Sequence, residues 1–177
     1  MRIAVISTCS GAGKTTLSRR LAELYGIPHV ELDGLFHDPG WVAAPDFEIR
    51  VAAALSAPDW VADGNYSGHL GDSVLTMADE VVWLDLPLLT CLLRLIRRTA
   101  RRLLWREELW NGNRESLRNV LLDRDGLFAY AIRNFGRRRR EFPARLGPHR
   151  SIRLRSQRDV DAWLANRSRI GPGVQAV

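Results

Sequence analysis

Lys14 is the only lysine among the 26 lysine and arginine residues of this 177-residue chain. It sits in Ser7-Thr8-Cys9-Ser10-Gly11-Ala12-Gly13-Lys14-Thr15-Thr16, directly after the apolar run Ile3-Ala4-Val5-Ile6. A strand feeding a glycine-rich turn that opens a helix aims several backbone N–H groups, and the positive end of the helix dipole, at one point in space. Polyphosphates bind at such a point. Gly11, Ala12 and Gly13 are expected to wrap the backbone around the phosphates of ATP. Lys14, a compact and mobile point charge, follows the β- and γ-phosphates in a way that a planar guanidinium does not. The Thr15 hydroxyl is the expected ligand of a Mg²⁺ ion between those phosphates, and Thr16 is placed to reach the α-phosphate. One position departs from Gly-x-x-x-x-Gly-Lys-Ser/Thr: counting back from Gly13 places Thr8 where the first glycine falls. A β-branched residue is strained at φ > 0, so a strained loop is expected if that glycine's freedom is needed.

Three carboxylates follow short apolar runs. Asp33 closes the second, in Val30-Glu31-Leu32-Asp33-Gly34-Leu35-Phe36-His37-Asp38-Pro39-Gly40-Trp41. Ligands of open α/β sheets bind at the carboxyl ends of the strands, so Asp33 is a candidate to orient or deprotonate an acceptor hydroxyl over the γ-phosphate. The other reading is a turn aspartate bonded to its own backbone before Gly34. His37, Asp38 and Trp41 either line an acceptor pocket or shape the turn. Asp63, in Trp60-Val61-Ala62-Asp63-Gly64, is the candidate to hold the water shell of the metal. Asp85, followed by Leu86-Pro87, reads as structural.

Arg94, Arg98 and Arg102 repeat every four residues, with Arg97 and Arg101 alongside, which gives a helix one basic face opposite Leu92, Leu95 and Ile96. Arg98, Arg102 and Arg114 are the candidates for a lid that brings positive charge to the transferred phosphoryl group. A solvated face is the alternative, and Arg137–Arg140 is read that way. No His/Cys grouping has metal-ligand spacing.

These residues need elements to position them. The order reads as alternating strand and helix, the pattern of a parallel sheet covered on both faces. Strands are expected at Ile3–Ser7, His29–Leu32, Trp60–Ala62, Val81–Asp85 and Ile152–Arg155. Helices are expected from the loop to Tyr25, over Phe47–Leu55, from Leu88 onward, and over Glu115–Leu122, Leu127–Arg140 and Asp159–Ala165. The length fits one domain, 1–170, followed by a flexible tail, 171–177. A net charge of +6 and a pI near 10.3 favour acidic partners, nucleotides or nucleic acid. Two cysteines make no disulfide framework, and with an ATP-type loop the cytoplasm is the expected compartment. The most apolar stretch, Val81–Ile96, is broken by Asp85, Pro87 and Arg94, so no membrane span is expected.

The chain resembles the P-loop kinases of the adenylate-kinase-like type, and among them the bacterial group labelled adenylate kinase or DNA topology modulation protein. The phosphate loop carries the resemblance, with Leu32-Asp33-Gly34 through Pro39-Gly40-Trp41, Asp63-Gly64-Asn65-Tyr66, Leu84-Asp85-Leu86-Pro87 and Trp110-Asn111-Gly112-Asn113-Arg114-Glu115-Ser116. It implies a three-layer α/β fold with a five-stranded parallel sheet of order 2-3-1-4-5. It further implies Mg-ATP as donor, a helical lid over about 98–140 between the fourth and fifth strands, and an adenine-contacting loop near Ser156-Gln157-Arg158. True adenylate kinases carry Asp-Gly-Phe-Pro-Arg where this chain has Asp63-Gly64-Asn65-Tyr66-Ser67. The arginine that helps hold the nucleotide monophosphate there is missing, and the Asp33 turn is similar to that of kinases of small hydroxylated metabolites. The expected activity is therefore transfer of the γ-phosphoryl of Mg-ATP to a small-molecule acceptor, a nucleotide or a hydroxylated metabolite. The alternative is a nucleotide-gated ATPase whose arginines contact nucleic acid while Trp105 and Trp110 stack on bases.

Overall fold

Alternation along β1 (Arg2–Ser7) divides its side chains between two buried faces, Ile3 and Val5 on one, Ala4 and Ile6 on the other. A strand that is apolar at every position has to be covered on both sides. The computed structural model, which describes residues 1–64, 66–115 and 127–170, shows how. The further strands are β2 (His29–Glu31), a short pair β3 (His37–Asp38) and β4 (Val42–Ala43), then β5 (Trp60–Asp63), β6 (Glu80–Leu84) and β7 (Ser151–Leu154). The main sheet is wholly parallel in the order β2-β5-β1-β6-β7, which is 2-3-1-4-5 when its own five strands are counted. The antiparallel β3–β4 hairpin lies outside it and was not expected from the sequence.

One face is covered by α1 (Lys14–Tyr25), α6 (Leu88–Leu104) and α8 (Gln157–Ile170), which bury Leu17, Leu21, Leu95 and Val160 in one core with Ile3 and Val5 of β1. The other is covered by α2 (Leu32–Phe36), α3 (Phe47–Ala54), α4 (Ser67–Leu70) and α5 (Ser73–Met77), through Leu32, Phe47, Val51, Leu70 and Leu75. Helix α7 (Leu127–Leu146) joins the two cores: Ala131 belongs to the first, Phe142 and Leu146 to the second. That packing explains why α7 continues through Pro143 beyond the expected Arg140. Helix α8 starts earlier than expected because Ser156 and Asp159 cap it reciprocally: Ser156 Oγ accepts from the Asp159 N–H (3.1 Å), and Asp159 accepts from the Ser156 N–H (2.9 Å). On α6, Leu95 is buried as expected, but Ile96 is half exposed. Most of the helix expected over Glu115–Leu122, with Asn65, Ser116 and the tail 171–177, lies outside the described residues. Among the described residues no helix is long and apolar enough to cross a membrane.

The strain expected at Thr8 is absent. Gly11 and Gly13 take left-handed backbones (φ 84° and 98°), and Thr8 does not. Its side chain is instead fully buried beneath the loop, where Oγ1 donates to Asp85 Oδ1 (2.8 Å) and accepts from Trp83 Nε1 (2.8 Å). Asp85 in turn accepts from Arg153 Nε (3.0 Å), with Arg139 Nε at 3.2 Å. Asp85 is thus the structural anchor its sequence context suggested. Its replacement by alanine is expected to cost about 3 kcal/mol, the low end for a broken buried pair, because both arginines keep partial access to water. Denaturant titration checks this, and a loss below about 1 kcal/mol would show that the network contributes little.

Candidate active site

Two cavities open at the carboxyl end of the sheet. One, of about 680 Å³, is walled by the loop from Ser10 to Thr16 and by Glu31, Arg94, Arg102 and Gln157. The other, of about 790 Å³, is walled by Phe36, His37, Trp41, Tyr66 and part of α7. Lys14, Asp33, Arg98 and Trp110 line both.

On the loop side, Gly13 caps α1, and Gly11 has a steric role. A Cβ at Gly11 would stand 2.4 Å from the carbonyl oxygen of Cys91, so its lack of a side chain lets the loop seat on α6. Arg94 ties the two rims together, Nη1 donating to the Ala12 carbonyl (3.4 Å) and Nη2 to Gln157 Oε1 (2.7 Å). Gln157 and Val160 line this cavity, where the resemblance implied an adenine-contacting loop.

Thr15 Oγ1 donates to Glu31 Oε1 (3.3 Å). Glu31 was missed in the sequence, although Glu31-Leu32-Asp33 brackets a strand end with two carboxylates. Asp63 pairs in register with Glu31 but lines neither cavity. It shares the α1-covered face with Val61, is 1% exposed, and turns its Oδ2 toward His29 Nε2 at 3.5 Å. A hydroxyl and a carboxylate on one cavity wall are the hard oxygen donors that Mg²⁺ takes, one or two from protein and the rest from phosphate and water. Among the described residues no group of three or more His, Cys, Asp and Glu residues is placed to hold a metal by protein alone.

The three arginines expected to form a lid diverge. Arg98 reaches the junction of the cavities, its Nε without a hydrogen-bond partner among the described residues. Burial, with Arg102 close by, pushes its pKa below the usual arginine range. Arg102 lines the loop side and pairs with Glu115 (2.7 Å). Arg114 lines neither cavity. Its exposed guanidinium lies 3.4 Å from Glu108, and its carbonyl accepts from Trp41 Nε1 (3.1 Å). The run Arg137–Arg140 is not a uniformly solvated face, since Arg138 is buried and, with Arg137, lines the second cavity.

On the other side, β2 ends at Glu31, so Asp33 lies in the first turn of α2 and does not close the strand. Its carboxylate is bonded across the cavity, accepting from Tyr66 Oη at 2.5 Å, which favours the site reading over a self-bonded turn. Burial and the Asp33 charge push the Tyr66 pKa up, so Tyr66 keeps its proton and remains a donor. Asp38 points away and pairs with Arg50 (2.7 Å). The segment from Trp110 to Arg114 is stapled over the hairpin. Asn113 Nδ2 donates to the Asp38 carbonyl (2.9 Å), Asn113 Oδ1 accepts from the Trp41 N–H (2.8 Å), and Asn111 Nδ2 donates to the His37 carbonyl (2.6 Å). Trp110 stacks on His37 and rests on Gly34, where a Cβ would meet its ring at 2.8 Å.

Burial lowers the His37 pKa, against the pull of Asp33. A folded-state value below the unfolded one means that the unfolded chain takes the proton first, so the contribution is full above about pH 6.5 and is lost progressively as pH falls from there through the lower folded value. Thermal denaturation from about pH 8 to pH 5 is expected to show this loss, reduced in His37→Gln. Parallel pH profiles for the two proteins would contradict it.

The sheet order, the loop and the two joined cavities are those of the P-loop kinase fold. Solved structures bear this out: a shikimate kinase from Bacteroides thetaiotaomicron superposes with a TM-score of 0.56 at 14% identity, covering 96% of this chain and 97% of that one. A shikimate kinase from Acinetobacter baumannii in complex with shikimate gives 0.56 at 19%, covering 96% and 93%. A gluconokinase from Sinorhizobium meliloti 1021 gives 0.52 at 17%, covering 96% and 94%. At these identities the likeness is one of fold. Among curated proteins, a cytidylate kinase from Nitratidesulfovibrio vulgaris is 35% identical over 46 residues, a match spanning 26% of this chain and only 20% of that kinase. No family model matches the chain.

Proposed function

We propose that the chain is an ATP-dependent phosphotransferase that moves the γ-phosphoryl group of Mg-ATP to a hydroxyl of a small molecule. The observation that carries this reading is the shared wall: Lys14, Asp33 and Arg98 face both cavities, so a donor in one and an acceptor in the other meet over them. Phosphoryl transfer needs positioning and charge neutralisation more than covalent help. Lys14 and the loop amides hold the donor's phosphates. Asp33, oriented by Tyr66, accepts the hydrogen bond of the acceptor hydroxyl and takes its proton as the bond to phosphorus forms. Arg98 supplies positive charge at the junction, and Arg102 on the donor side. Thr15 with Glu31, in place of the expected Asp63, would hold Mg²⁺, which when bound neutralises charge on the β- and γ-phosphates. Arg114 has no part in this arrangement. The kinases of similar fold are named for hydroxylated acids, which supports a small hydroxylated acceptor; the short match to a cytidylate kinase supports the nucleotide branch of the same reading. The whole of 1–170 acts as one domain with its lid over 98–140, in the cytoplasm where ATP is available.

The nucleic-acid alternative loses one of its two stacking residues, because Trp110 is committed to the cavity wall while Trp105 alone is exposed. ADP formation from Mg-ATP separates the readings. It is expected to rise with a small hydroxylated acceptor and not with DNA or RNA; stimulation by the polymer alone would reverse the choice.

A further inference from the structure

We propose that the acceptor carries an anionic group, a carboxylate or a phosphate, and that Arg138 of α7 is the residue that reads it. The proposal rests on the phosphotransferase reading only in calling the second cavity the acceptor site. Arg138 is 7% exposed and lines that cavity but not the loop-side one. Its Nη2 donates to the Tyr130 hydroxyl (2.7 Å), and its guanidinium lies 5.3 Å from the centre of that ring. Among the described residues no carboxylate stands within 4.0 Å of it. The acids and bases around it are already matched: Glu141 with Arg137 (3.9 Å), Asp72 with Arg145, and Asp85 with Arg139 and Arg153.

A desolvated guanidinium without a counter-ion is costly, and buried charges are ordinarily paired or hold a ligand. Arg138 offers a planar fork of donors suited to a carboxylate or phosphate. The same wall carries Asp33, suited to a hydroxyl, and the apolar faces of Phe36, Trp41 and Trp110. A neutral polyol satisfies Asp33 and leaves Arg138 unpaired. A hydroxylated anion satisfies both.

Trp41 and Trp110 line the cavity, so tryptophan fluorescence without ATP reads its occupancy. The probes are matched pairs: shikimate and its methyl ester, gluconate and sorbitol, cytidine monophosphate and cytidine. In at least one pair the anion is expected to bind roughly tenfold to a hundredfold tighter than its neutral partner, with the ratio collapsing toward unity in Arg138→Gln. The responding pair tells carboxylate from phosphate. Equal binding within every pair, no binding by any anion, or a ratio that survives in Arg138→Gln overturns the proposal. If Arg138→Gln does not fold, Arg138→Lys carries the test: it keeps the charge and loses the fork, so the ratio should drop without vanishing, and an unchanged ratio overturns the assignment. Because the titration needs no turnover, a chain that binds the anion and never phosphorylates it would leave this inference standing and remove the kinase reading.

Discussion

Lys14→Ala is expected to lower turnover by on the order of a thousandfold while the domain stays folded. Lys14 opens α1 where the glycine turn ends, and it is one of the residues facing both cavities. In the proposed mechanism its charge acts on the group in transit and not only on the bound donor. Removing an interaction made chiefly in the transition state lowers kcat and kcat/KM together. The fold should tolerate the loss, because no carboxylate lies within 4.0 Å of the ammonium among the described residues and truncation leaves no partner stranded. Steady-state kinetics beside thermal denaturation would show it. Turnover within about tenfold of wild type would remove Lys14 from the mechanism.

Asp33→Asn should cost between about a hundredfold and ten-thousandfold in kcat, with a much smaller change in ATP affinity. The substitution is nearly isosteric, and its amide oxygen still accepts from Tyr66, so the geometry of the 2.5 Å contact is preserved and the charge alone is tested. A neutral amide can hold an acceptor hydroxyl but cannot take its proton. Binding of the nucleotide, measured by titration, should change little because the loop, Thr15 and Glu31 are untouched. Full turnover in Asp33→Asn would leave Asp33 a positioning group for Tyr66 and nothing more.

The scaffold was legible because its signals are local. The run Ile3–Ile6, the glycines of the loop and Gly26 at the end of α1 each depend on near neighbours, and the five sheet strands lie within a residue or so of where the apolar runs place them. The loop that walls one cavity was legible for the same reason. What failed depends on contacts distant in sequence. Thr8 looked strained until Trp83 and Asp85 were seen to hold its hydroxyl. Asp63 looked like a metal residue because it ends a strand, but the alternation of β5 points it at His29, and Glu31 stands beside Thr15. Asn111 and Asn113 gave no clue that they staple the hairpin, since their partners are more than seventy residues away. Arg138 was hidden inside a run of four arginines that includes exposed Arg140, and only the packing of α7 separates the buried one.

The central claim is that the two cavities exchange a phosphoryl group, and transfer of label from γ-labelled Mg-ATP to a small molecule tests it most directly. Purified protein would be incubated with nucleoside monophosphates, sugars, polyols and hydroxy acids, with Lys14→Ala as the blank. Label on a small-molecule acceptor with wild type, and none with the blank, is the predicted result. Label recovered only as inorganic phosphate, equally in both proteins, would contradict it.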